Sequence, residues 1–157
     1  PYDDVDVLAT SYVGDYYASP NSPIPLISHV EGLFIKAEAE LRGGSAGNAA
    51  TALNDAVMAS ILQVTGASDP VYEGMYASET AGTITLEKIM YQKWVALFIQ
   101  TEAYSNWRRT GYPTLTPNPN GNTATIPVRL ITPAPERLYN PNAVVVGDLE
   151  EPVWWDN

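Results

Sequence analysis

The chain has 157 residues, with 8 lysines and arginines against 18 aspartates and glutamates and a formal net charge of −10. That balance disfavours nucleic acid and anionic membrane surfaces as partners, because binding them needs clustered cations. There is no cysteine and only one histidine, His29. Disulfides, thiolate catalysis and metal sites built from cysteines or several histidines are therefore excluded.

The aromatic content is skewed towards 10 tyrosines and 4 tryptophans over 2 phenylalanines, beside 13 prolines. A loop-rich chain with amphipathic aromatics suits a carbohydrate-facing protein outside the cytoplasm. No run of 18 apolar residues occurs, so no helical span is expected. The sequence opens at Pro1 without an initiator methionine, a signal peptide or a lipid-acceptor cysteine. We expect a piece of a longer chain, with any targeting segment upstream.

Residues 1–27 place Asp3, Asp4, Asp6 and Asp15 among tyrosines and prolines without a sustained period, which predicts an irregular lead-in. The DxDxDG spacing with a glutamate at the twelfth position is missing, so a solvated acidic loop is expected rather than a calcium loop. A helix is predicted from Ser28, where Ser28-x-x-Glu31 forms a capping box and Ile27 can staple onto the first turn. Val30, Leu33/Phe34, Ala37 and Leu41 form its apolar stripe, and Gly43-Gly44 ends it. A second helix is predicted from about Asn48 to Thr65, with Ala49, Ala52/Leu53, Ala56/Val57, Ser60/Ile61 and Val64 turned inward. The short link between the two forces an antiparallel hairpin.

Residues 66–82 read as a loop carrying Tyr72 and Tyr76. One long helix then runs from Thr85 into Gly111-Tyr112-Pro113, with Leu86, Met90, Trp94 and Leu97/Phe98 on one face and Ile89, Val95 and Ile99 widening it. Thr85 caps its start, Glu87 suits its positive end, and Gly111 takes a left-handed cap. Trp94 is expected in the core. Trp107-Arg108-Arg109 are expected to anchor the exit, with the arginines paired to Glu38, Glu40 or Glu136. Seven prolines from 117 to 152 rule out long elements in the tail. Val128 to Ile131 reads as a short extended piece, and Pro135-Glu136-Arg137-Leu138 as one helical turn with proline at its first position.

Five segments in this order resemble the C-terminal part of SusD/RagB-like proteins: SPIPLISHVEGLFIKAEAELRGG, ALNDAVMASI, EKIMYQKWVALFIQTEAYSNWRRTGYP, IPVRLITPAPERLYNPN and VWWD. The resemblance runs from Ser22 to Asp156. It implies a surface-exposed, lipid-anchored outer-membrane protein of Bacteroidetes that partners a SusC-like TonB-dependent transporter and captures a nutrient. The nutrient is usually an oligosaccharide and sometimes a peptide, bound without catalysis. Membrane attachment would come only through an upstream lipid anchor. The implied scaffold contains tetratricopeptide-like hairpins, although the consensus of that repeat is not found here. Members are longer than this chain, which is expected to be a C-terminal portion: lead-in 1–27, helical core 28–112, wrapping tail 113–157.

The expected fold is therefore mainly α, a helical hairpin plus one long helix with irregular proline-rich loops and tail. No catalytic residue, metal or cofactor is expected. Glu38 and Glu40 stand two apart on different helix faces and are no matched acid–base pair; His29 has no obvious partner. Tyr72 and Tyr76 are the candidate ligand contacts, since aromatic rings stack on sugar faces and loops carry function. Trp154 and Trp155 offer a second platform or, alternatively, an anchor for the tail. A glycoside hydrolase would need two carboxylates roughly 5–10 Å apart in a cleft, and no acid has a recognisable catalytic context. A structural helical-repeat adaptor is the remaining alternative.

Overall fold

The computed structural model describes residues 12–121 and 123–156; Asp3, Asp4 and Asp6 lie outside them. Among the described residues the chain forms seven helices and no strand. The two longest make the hairpin. α2, His29–Arg42, starts on Ser28, whose hydroxyl accepts from the Glu31 amide at 3.0 Å. α3, Ala46–Thr65, follows after three residues and ends on Gly66 in the left-handed conformation. Its N-terminus lies two residues earlier than expected.

The core is where these helices meet α5, Leu86–Ala96. Phe34 and Ala37 of α2, Ala49, Leu53, Ala56 and Val57 of α3, and Ile89 and Met90 of α5 are all buried. Four buried alanines on α3, Ala49, Ala50, Ala52 and Ala56, let the backbones approach closely. Val64 is exposed rather than inward. The 20-residue α3 outruns the 14-residue α2 by about 9 Å at 1.5 Å per residue, so its last turn extends past α2. Ile27 is exposed and does not staple α2.

The expected long helix is two helices. α5 is capped by Thr85, which accepts from the Lys88 amide at 3.2 Å. It stops at Ala96, and α6, Thr101–Thr110, begins after a corner in which Ile99 takes φ +60°. A continuous helix would separate Lys93 and Asn106 by about 20 Å along its axis, yet Lys93 Nζ donates to Asn106 Oδ1 at 3.2 Å. The chain therefore doubles back, and α6 returns beside α5. Leu97 is sealed into the core, while Val95, Phe98 and Ile99 face solvent instead of widening the stripe, and Trp94 is only half-buried.

α6 has no fully buried residue, and polar contacts hold it. Arg109 grips Glu38 of α2 through two bonds of 2.6 and 2.8 Å. Lys93 is 3% exposed beside the same carboxylate. Burial draws its pKa below the usual lysine range, against the pull of Glu31 and Glu38. Gly111 closes α6 with φ +72°, as its position before Tyr112-Pro113 predicts.

The described part of the lead-in, from residue 12, contains one short helix, α1, Asp15–Ala18. Gln63 donates to the Tyr16 hydroxyl at 2.6 Å, and the Tyr17 ring meets Phe98 edge-on at 5.3 Å. In the tail, α7, Ala134–Tyr139, is the expected turn with proline in its first positions. Val128 to Ile131 forms no strand and bends at Arg129, with the Val128 and Arg129 amides bonded to the Leu149 carbonyl and the Thr132 amide to the Val146 carbonyl. The tail is fastened to α6 by Tyr104, whose hydroxyl donates to the Pro127 carbonyl at 2.6 Å, and by Arg108.

Candidate functional site

Tyr72 and Tyr76 are helical. α4, Pro70–Tyr76, is nucleated by Asp69, whose carboxylate accepts from the Val71 and Tyr72 amides at 3.0 and 3.1 Å, with Pro70 leading the first turn. The spacing of four places both tyrosines on one face, and their rings meet at 4.6 Å. They differ in role. Tyr72 packs on the core and donates its hydroxyl to Gln92 Oε1 of α5 at 3.1 Å. Burial, then the neighbouring Tyr76 and Tyr91, push its pKa above the usual phenol value, so it stays a donor. Tyr76 is 37% exposed.

Tyr76 lines a groove of about 540 Å³ between α4 and α5, with Met75, Glu79, Glu87, Lys88, Tyr91 and Gln92. Its rim is fixed by Asn54 of α3, whose side chain donates to the Glu79 carbonyl at 2.9 Å and accepts from the Glu79 amide at 3.0 Å. Lys88 donates to Glu79 at 2.8 Å and to the Thr83 carbonyl at 2.9 Å. Burial raises the Glu79 pKa, but the hydrogen bonds from Lys88 and Thr83 outweigh it, and the carboxyl titrates below its usual range. Held ionised, Glu79 is no general acid at neutral pH. The groove offers two aromatic faces, a neutralised ion pair and an amide, which together suit stacking and hydroxyl binding.

Tyr91 and Gln92 are the residues the sequence reading missed here. Tyr91 falls off the apolar stripe of α5, and a tyrosine exposed on an otherwise packed helix is the signal that could have marked it. The Asp69-Pro70 pair was likewise a legible start for α4.

Trp154 and Trp155 separate into two roles. Trp155 lies under the Arg108 guanidinium, 4.4 Å from ring centroid to carbon, and Arg108 also binds Asp156 Oδ2 through two bonds of 2.9 and 3.0 Å. Arg108 thus pairs with Asp156 rather than with Glu38, Glu40 or Glu136. Glu40 accepts from Asn48 and Glu136 from Asn140. Trp154 projects with 94% exposure. Neither Trp154 nor Trp155 lines the tyrosine groove.

Among the described residues no group of three or more acidic or histidine side chains is arranged to hold a metal, and no helix is long and apolar enough to cross a membrane. What the fold and groove define is an all-helical scaffold presenting aromatic and polar surface. The family model of SusD-like proteins, described as starch-binding associating with outer membrane, matches residues 2–133. The chain belongs to this SusD-like family, a family of binding proteins. No curated protein and no solved structure matches it.

Proposed function

We propose that this chain takes part in non-catalytic capture of an oligosaccharide at the bacterial surface, for delivery to a TonB-dependent outer-membrane transporter. The groove between α4 and α5 carries this reading. Tyr76 and Tyr91 present ring faces to a sugar, Gln92 and the Glu79–Lys88 pair meet its hydroxyls, and Tyr72 backs Tyr76 from below. Trp154 is a second, outlying stacking face; Trp155 supports it from the tail's anchor on Arg108. The family's starch-binding description supports a glucan as the first ligand to try. Attachment to the membrane would come through a lipid anchor upstream of these residues.

Hydrolysis is the weaker reading, because the one groove acid with a displaced pKa is displaced downwards. Isothermal titration of the chain with maltoheptaose, and with neutral and acidic oligosaccharides in parallel, tests the proposal. Saturable heat without product formation is expected; chain-length-independent silence, or release of shorter sugars, would overturn it.

A further inference from the structure

Trp107, read from the sequence as an anchor, also forms the wall of two adjacent cavities between α6 and the tail. One, of about 330 Å³, is lined by Trp107, Leu115, Pro117, Thr125, Val128 and Glu150. The other, of about 220 Å³, shares Trp107, Leu115 and Val128 and reaches Asp156. The Tyr104 ring stacks on Trp107 at 5.9 Å and 27°, which fixes the indole plane. The tail is fixed in turn by Arg108 on Asp156 and by Tyr104 on Pro127.

We propose that these cavities form a second saccharide subsite, one that accepts a single neutral pyranose ring. This rests on the reading that the chain binds glycans. Both volumes sit near or below the roughly 300 Å³ at which small-molecule pockets begin, which matches the space of one ring rather than several. The indole, Leu115 and Val128 provide the apolar wall that a sugar's C–H face needs. Polar groups stand at both ends. Thr125 donates to the Glu150 carboxylate, leaving that carboxylate further acceptor capacity. The Asp156 side chain is 1% exposed, and its Oδ1 has no hydrogen-bond partner among the described residues.

A buried acceptor without a donor is costly, and a ring hydroxyl in the cavity that Asp156 lines supplies one. The Arg108 guanidinium already neutralises Asp156, so a neutral donor suits the site better than a cation.

Nitrogen-labelled chain, titrated with glucose and with maltotriose, provides the test. The Trp107 indole N–H is identified by its loss in Trp107→Phe, and the Tyr76 and Tyr91 amides report the other groove. Saturable movement of the Trp107 signal with glucose, retained in Tyr76→Ala, is expected. Binding at Trp107 should weaken about tenfold in Glu150→Ala, the loss of one hydrogen bond, and Leu115→Trp should abolish it by filling both cavities. Glu150 is exposed, so its variant remains folded. A static Trp107 signal while Tyr76 and Tyr91 move would overturn this subsite and leave the main groove standing. Silence at both places in a folded chain would overturn both. Unchanged affinity in Glu150→Ala and Leu115→Trp would mean that the indole senses binding elsewhere, which also overturns it.

Discussion

Arg109 and Glu38, 71 residues apart, close a two-bond pair of 2.6 and 2.8 Å that ties α6 to α2. Arg42 adds a third bond to the same carboxylate at 2.9 Å. The Glu38 side chain is 9% exposed, whereas Arg109 keeps 40% of its surface. Removing the acid leaves Arg109 partly solvated and takes one neighbouring carboxylate from the buried Lys93, which keeps Glu31 and its bond to Asn106. Glu38→Ala should destabilise the chain by about 2 kcal/mol, read as a lower urea midpoint with little change in slope.

The same carboxylate sets an acid dependence. Burial raises the Glu38 pKa, but the hydrogen bonds from Arg109 and Arg42 overcome that and hold it below 4.5. A carboxyl depressed on folding contributes stability that is complete above its unfolded pKa and lost as pH falls through the folded value. Thermal stability should therefore decline below about pH 4.5, and the decline should be shallower in Glu38→Gln. Equal acid slopes in the two proteins would remove Glu38 from the account.

The corner at Ile99 makes a prediction of opposite sign. A β-branched residue at φ +60° is strained, typically by about 1–3 kcal/mol, and Ile99 is 67% exposed, so its side chain adds little burial. Asparagine tolerates that conformation. Ile99→Asn should be neutral or stabilising by about 1 kcal/mol. In a continuous helix the same change would destabilise, because isoleucine is the better of the two there.

That corner shows where the sequence stopped being informative. Leu97 and Phe98 continue the three-four spacing of Leu86, Met90 and Trp94, so the local pattern favours an unbroken helix. The break goes with partners that apolar spacing does not register, Asn106 on Lys93, 13 residues apart, and Arg109 on Glu38, 71 residues apart. Features decided within one turn were legible. The Ser28 and Thr85 caps, the Gly111 stop and the proline-led turn at Ala134 all appear where their own residues predicted. Tyr72 and Tyr76 were picked out by type, but Gly74 between them hid the helix that makes them neighbours. The pairing of Arg108 with Asp156 depends on how the tail closes, which is again a long-range outcome.

The cap of α4 links stability to the groove. Asp69→Ala removes the acceptor for two amides and should cost about 1 kcal/mol. The loss should fall locally on α4, with faster amide exchange at Tyr72 and Glu73 and weaker oligosaccharide binding. Slower or unchanged exchange there would show that the Tyr72–Gln92 contact, not the cap, holds the helix.

The most direct measurement is isothermal titration of maltoheptaose into the parent chain, Tyr76→Ala and Tyr91→Ala, each first shown to melt cooperatively. Both rings line the same groove, and a sugar-stacking ring contributes roughly 1–2 kcal/mol on removal. The account predicts saturable binding by the parent and about tenfold or greater weakening in each variant. Equal affinity in all three proteins would contradict it and move recognition away from the groove between α4 and α5.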